Sequence, residues 1–156
     1  MGSTPTLFRH AHMATENFRG QVPSDRLYDT RYDMWVQREH GEVVIGATGF
    51  GLHQAGEVIG FTAKPIGAEV AAGRGLGTVE LAKTVVAVRA PVAFRLARAN
   101  EDAEQRPEII NRDPFGAGWM VRGEPLDWNN DVPRLVDAAR YIAHIRAIDP
   151  AAMIEP

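Results

Sequence analysis

The sequence predicts a mainly β fold, a small sandwich or barrel, carrying one short helix and one amphipathic helix near the C-terminus. Three observations carry this expectation. Short runs rich in β-branched residues recur between Tyr32 and Pro91, glycines punctuate them, and a helical period of three and four is clear only late in the chain. A doubly wound α/β chain needs long helical patterns between its strands, and none is present.

The strand candidates, in order, are Met34-Trp35-Val36, Val43-Val44-Ile45, Val58-Ile59-Gly60-Phe61, Thr78-Val79-Glu80-Leu81 and Thr84-Val85-Val86-Ala87-Val88. Gly41, Gly46, Gly49, Gly51, Gly56, Gly67, Gly73, Gly75 and Gly77 punctuate them, and short strands at regular spacing with glycine turns read as a sandwich or barrel. A short helix is expected over Glu101 to Arg106. Asn100 suits its N-cap, two acids suit its positive end, and Pro107 stops it. The stretch Asn111 to Gly116 reads as a corner, followed by a last strand at Gly118 to Val121. Asp131 is then expected to cap a helix whose face is Leu135, Ala138, Ala139, Ile142 and Ile145, ending at Asp149-Pro150.

Composition narrows the function. The chain of 156 residues carries 17 basic and 20 acidic side chains, for a net charge of −3. Phosphate neutralisation needs a basic surplus, so no nucleic-acid partner is expected. No run approaches the roughly 18 apolar residues of a membrane span, and the first twenty residues lack a signal-type apolar core. The expected location is cytoplasmic, without membrane association. There is no cysteine, so disulfides, thiolate metal sites and cysteine nucleophiles are excluded. His10 and His12 alone make no metal site, and none is expected. His40 and His53 flank glycine-rich turns and read as surface or half-buried histidines. No Gly-x-Ser-x-Gly elbow is present, and no catalytic residue is assigned. Gly73-Arg74-Gly75-Leu76-Gly77 opens a strand and reads as a turn, not a phosphate cradle.

Of the 17 basic residues, only Lys64 and Lys83 are lysines. Arginine cannot stand in where an amine must react, because the guanidinium stays protonated. Lys64 precedes Pro65 and receives no role. Lys83 sits in Leu81-Ala82-Lys83-Thr84, a tight turn between two strands, where a hairpin places its tip residue in water.

From Pro23 to Ile148 the chain resembles the H protein of the glycine cleavage system and its relatives, a family of lipoyl carriers. Glu80-Leu81-Ala82-Lys83 is similar to the family's Glu-Ser-Val-Lys lipoylation site. Pro107-Glu108-Ile109-Ile110-Asn111-Arg112-Asp113-Pro114-Phe115-Gly116-Ala117-Gly118-Trp119 resembles its Pro-Glu-Leu-Ile-Asn…Pro-Tyr-Gly-x-Gly-Trp signature. The resemblance implies a lipoyl-domain barrel-sandwich hybrid and lipoate in amide linkage to Lys83, in a carrier that is not an enzyme. Ala82 and Thr84 would flank the modified amine. Glu80 would hold the turn or help a lipoate ligase or lipoyltransferase recognise it. Acylation removes one positive charge, so −3 becomes −4. A carrier without thiols cannot exchange with its own reduced dithiol cargo.

The chain departs from the family at three places. Ser-His-Glu-Trp becomes Tyr32-Asp33-Met34-Trp35, the acidic position after the lipoyl lysine becomes Ala87, and Ser-Pro-Val-Ser-Gly becomes Ala90-Pro91-Val92-Ala93-Phe94. A carboxylate about 4 Å from an amine is worth roughly 1 kcal/mol in water and about 4 near a protein surface. Asp33, as a displaced carboxylate, would keep glycine cleavage open as an option. Replacing two such acids by Met34 and Ala87 is nevertheless expected to leave an apolar cleft, which favours a sulfur-bound load, as in the lipoate-binding proteins of sulfur-oxidising bacteria. The partners would then be a heterodisulfide-reductase-like complex and dihydrolipoamide dehydrogenase. Open alternatives are an aminomethyl carrier for glycine decarboxylase and aminomethyltransferase, and a biotinyl or unmodified module of the same fold. The expected organisation is an arm over residues 1–22, a lipoyl domain over 23–127 and a helical segment over 128–156 packed on it.

Overall fold

The computed structural model describes residues 16–156. His10 and His12, and most of the expected N-terminal arm, lie outside the described residues. In order, the elements are β1 (Arg19–Gln21), β2 (Leu27–Asp29), β3 (Met34–Glu39), β4 (Glu42–Ala47), α1 (Gly49–Ala55), β5 (Gly60–Ala63), β6 (Glu69–Val70), β7 (Gly75–Glu80) and β8 (Val85–Arg89). They continue with β9 (Phe94–Ala99), α2 (Glu101–Gln105), α3 (Glu108–Arg112), β10 (Val121–Pro125), α4 (Trp128–Asp131), a 3-10 turn (Val132–Arg134), α5 (Ala138–Ile148) and β11 (Met153–Glu155).

The fold is mainly β. A six-stranded sheet runs β2-β3-β4-β10-β9-β6, a three-stranded sheet runs β5-β7-β8, and β1 pairs with β11 in parallel. The sheets do not close into one barrel, and the arrangement is compatible with a barrel-sandwich hybrid. The β3–β4 hairpin turns at His40 and Gly41, both with positive φ (53° and 80°), the two-residue turn that matches strand twist.

Alternation along β3 divides the interior in two. Met34 and Val36 enter one core with Ile45, Phe61, Leu76, Val79, Val88, Phe94 and Leu96, contributed by both larger sheets. Trp35 faces the other way and joins Phe18, Tyr28, Phe50, Tyr141 and Ile145. The second core binds α5 and the N-terminal segment to the back of the six-stranded sheet. Period-2 alternation with both faces covered explains why this strand reads as a continuous apolar run.

Five expectations are corrected here. The stretch Arg19–Gln21 pairs with the C-terminal strand, and Phe18 is 3% exposed, so this part of the expected arm is packed. Gly49 and Gly51 lie inside α1, because the Thr48 hydroxyl accepts from Gly51 N and caps a helix there. The last helix begins at Asp137, whose carboxylate accepts from Arg140 N, and not at Asp131. Its buried stripe is Tyr141 and Ile145, and Ala139 is exposed. Asp131 is buried and accepts from Ala93 N while pairing with Arg134. Finally, β10 starts only at Val121, and the corner before it holds α3. The short helix α2 stands where expected. Asn100, however, donates its amide to Ala117 O and Trp119 O and does not cap the helix with its side chain.

Candidate functional site

The site is built on β7 and β8. Glu80 pairs with Val85, and Leu81 N donates to Thr84 O at 2.8 Å, so Ala82 and Lys83 form the tip of a two-residue turn. Leu81 is 3% exposed and pins the turn to the core. Glu80, Ala82, Lys83, Thr84 and Val85 are all exposed. No hydrogen bond or ion pair joins Lys83 to any described residue. The amine is thus available on a base held by strand pairing and by the buried Leu81.

Rigidity of that base comes from the neighbouring strand. Residues 60–63 pair with 77–80, and Ile59 N donates to Glu80 O at 2.8 Å. Gly77 has no room for a side chain: a Cβ there would lie 2.4 Å from Thr62 O, so the two backbones meet directly. Asn111 then clamps the approach to β5, accepting from Val58 N at 2.9 Å and donating to Gly56 O at 3.0 Å. The long motif from Pro107 to Trp119 is therefore a buttress. Trp35 Nε1 donates to Pro114 O at 3.0 Å, and Ala117 N donates to Asp113 at 2.9 Å. The sequence gives Asn111 as part of a motif. Its signal as an anchor is the placement of a buried-capable amide beside two strand-leading backbone groups, which only the fold reveals.

Paired residues in a sheet project to the same face. Gly60, Glu80 and Val85 form one row on the outer face, and Thr62, Thr78 and Ala87 the next. Ala87 is half-buried on this face, and its Cβ lies 3.6 Å from where a Cβ on Gly75 would stand. The Glu80 side chain lies over Gly60, with Oε1 at 3.1 Å from the ideal Cβ position there.

Met34 and Asp33 are not on this face. Both are 0% exposed, Met34 in the inter-sheet core and Asp33 beneath α5. The expected apolar cleft of Met34, Asp33 and Ala87 is therefore not a cleft: alternation along β3 sends Met34 inward. Asp33 accepts from Tyr141 Oη at 2.8 Å, and that hydroxyl also meets Thr48 Oγ1 at 2.7 Å. His144 Nε2 lies 3.8 Å from the same carboxylate oxygen. Burial and the nearby carboxylate push the Tyr141 hydroxyl well above the ordinary tyrosine range. His53 is half-buried in α1, with its Nε2 at 2.8 Å from Glu16 O. No cluster of three or more His, Cys, Asp or Glu suited to a metal is present among the described residues. No helix among them is long and apolar enough to cross a membrane.

A lipoyl group needs a reachable, unpaired lysine amine on a rigid support, and the Lys83 turn meets that requirement. Comparisons with known proteins identify the family. Residues 26–148 match the glycine cleavage H-protein family model. The glycine cleavage system H protein of Anaeromyxobacter sp. strain K is 35% identical over 125 residues, 80% of this chain and 96% of that protein. The H protein of Mycolicibacterium vanbaalenii is 34% identical over 128 residues, 80% of this chain and 97% of the relative. A crystal structure of the Mycobacterium marinum H protein superposes with a TM-score of 0.68 at 29% identity, covering 78% of this chain and 97% of that one. None of these names supports the sulfur-oxidation branch, and the buried Met34 removes the physical argument for it. The chain belongs to the glycine cleavage H-protein family, lipoyl carriers that hold lipoate on a lysine and do not themselves catalyse.

Proposed function

We propose that Lys83 is the lipoylated residue and that the chain carries aminomethyl groups between the enzymes of a glycine cleavage system. The observation that carries the site is the Lys83 amine, exposed and unpartnered at the tip of the β7–β8 turn. The glycine cleavage names of its relatives favour this load over a sulfur-bound one. When bound, the lipoyl group supplies a dithiol at the end of a long flexible tether.

The chain's own residues supply the rest. Leu81 and the Glu80–Val85 pair fix the tether's root, so motion is confined to the arm. Ala82 and Thr84, both small and exposed, leave the amine open to a lipoate ligase or lipoyltransferase. Glu80 presents an exposed carboxylate at the end of β7, three residues before Lys83, and serves ligase recognition. The remaining partners on this reading are glycine decarboxylase, aminomethyltransferase and dihydrolipoamide dehydrogenase. Residues 128–156 belong with the carrier domain, because α5 closes the second core.

Intact mass after incubation with lipoate, ATP and a lipoate ligase tests the site. One lipoyl per chain, mapped to Lys83 by peptide mass, is expected, and an unmodified Lys83 overturns it. Methylamine loading by glycine decarboxylase tests the load. Loading of the lipoylated protein at rates comparable with a glycine cleavage H protein is expected, and complete refusal overturns the aminomethyl reading while leaving lipoylation intact.

A further inference from the structure

At the far end of the β7–β8 hairpin from Lys83, a cleft of about 420 Å³ opens between the turn after β2 and the turn before β7. Gly73 N donates to Ala90 O and Ala90 N to Arg74 O, so the cleft floor is tied to the hairpin itself. Arg31, Arg74 and Arg134 line it, with Asp29, Tyr32 and Gly73. Three arginines and one aspartate thus share its lining, in a protein whose overall charge is −3.

That carboxylate is already engaged. Asp29 Oδ1 accepts from Arg31 N at 2.7 Å and Tyr32 N at 3.2 Å, capping its own turn. Burial raises its carboxyl above the ordinary aspartate value, against the opposing pull of these two hydrogen bonds and of the Arg31 and Arg134 charges. Arg134 is held by the buried Asp131, and Arg31 lies over the Tyr32 ring at 5.6 Å to the centroid. Arg74 forms no hydrogen bond or ion pair through its side chain with any described residue. Two arginines are therefore oriented by the protein, and the third is free to close on a ligand.

We propose that this cleft binds a small oxyanion: a carboxylate, sulfonate, sulfate or phosphate group gripped by Arg31, Arg74 and Arg134. Planar guanidiniums match such groups through paired N–H donors. The binding elements are side chains, so the glycine-rich run beside Arg74 need not act as a backbone phosphate cradle.

The oxyanion has two sources, one in solution and one on the arm. A tether on Lys83 has about eleven single bonds to its sulfur ring, an extended reach of roughly 14 Å. Four residues of strand, Lys83 to Ala87, span about 13 Å. Ala87 abuts Gly75, the residue after Arg74, so an acid group at the tether's end comes to the cleft mouth along Val85, Thr78 and Ala87. This second source rests on Lys83 being the lipoylated residue. Asp29 and the Asp131 beside Arg134 offset part of the arginine charge, and the positive excess that remains disfavours an ammonium in the cleft.

The test is a sulfate titration of the unmodified protein at constant ionic strength, read by amide shifts. Saturable shifts at residues 29–32, 72–74 and 134 are expected. Arg74→Gln and Arg31→Gln should each weaken sulfate at least tenfold, about 1.4 kcal/mol, with Arg146→Gln on α5 unchanged. Arg134→Gln also breaks the Asp131 pair, so the first two variants are diagnostic. Shifts that do not saturate, or that ignore both variants, overturn the proposal. In a second arm, lipoylated and reduced protein is capped on sulfur with iodoacetate or with bromoethylamine. If the carboxymethyl form weakens sulfate at least fivefold and the aminoethyl form does not, the arm is a source of the anion. If neither competes while the unmodified protein still binds sulfate, the cleft serves free oxyanions. Absence of lipoylation at Lys83 would sink the carrier site and leave the sulfate result standing.

Discussion

Two regions hold the most recognisable motifs, and they do opposite things. The β7–β8 turn leaves Ala82, Lys83 and Thr84 in water, and Lys83 makes no hydrogen bond or ion pair with any described residue. The corner from Pro107 to Trp119 is tied to its surroundings by Asn111, Asp113 and Pro114, which hold residues 56–58, residue 117 and Trp35. One motif is constrained by what must reach it from outside, the other by what it must hold within. The lesson is that motif strength does not separate chemistry from architecture, whereas burial and hydrogen-bond bookkeeping do.

Substitution at the turn gives the largest functional effect with the smallest structural one. Lys83→Arg is expected to abolish lipoylation, read by intact mass, because guanidinium is not an acyl acceptor under these conditions. Stability should change by less than about 0.5 kcal/mol in urea unfolding, as for exposed sites without partners. A marked loss of stability would show that the lysine is structural, and the contrast between the two regions would fail.

The corner should respond in the reverse sense. A Cβ on Gly118 would stand 2.7 Å from both Asp113 O and Ile109 O and 2.9 Å from Ile110 Cα. All three are backbone, so no side chain can swing away. Gly118→Ala is expected to cost about 3 kcal/mol, the upper range for overpacking, while lipoylation of the folded fraction persists. Asn111→Ala strips partners from Val58 N and Gly56 O, for a loss of about 2 kcal/mol. Its amide exchange should accelerate at Val58 more than at Val44. Equal acceleration at both would mean that Asn111 is not a local clamp.

Much of the β framework was legible because β3, β4, β7 and β8 alternate or run apolar at strand length, and His40-Gly41 is strong turn chemistry. The exposed lysine was legible because a turn between two strands leaves its tip in water. What failed had physical causes. Glycines at 49 and 51 obscured α1, whose start is set by the Thr48 cap and not by propensity. Leu135 continues the spacing of the face formed by Ala138, Ile142 and Ile145, yet the chain makes a 3-10 turn at Val132–Arg134 and the helix starts after Asp137. The assignment of Met34 to a surface cleft failed because β3 is covered on both sides, and an apolar residue at such a position belongs to the core. The arginine cleft was invisible because its residues, 31, 74 and 134, are distant in sequence.

The smallest expected effect separates the turn from the back of the sheet through pH. Tyr28 and Tyr141 stack at 4.6 Å between centroids, both 0% exposed, and burial raises both hydroxyls above their ordinary value. Each proton is held more tightly in the folded state than in the unfolded one. The stability this confers is complete below about pH 10, the unfolded tyrosine value, and is lost as pH rises above it. The slope is about 1.4 kcal/mol per pH unit for each tyrosine. Unfolding midpoints measured between pH 8 and 11.5 should be flat and then fall. Tyr28→Phe should halve that slope, and Lys83→Arg should follow the parent protein throughout, since no hydrogen bond or ion pair joins Lys83 to any described residue. A Lys83→Arg profile that departs from the parent above pH 10 would place the lysine in contact with the fold and undo the distinction between an exposed tether root and a buried scaffold.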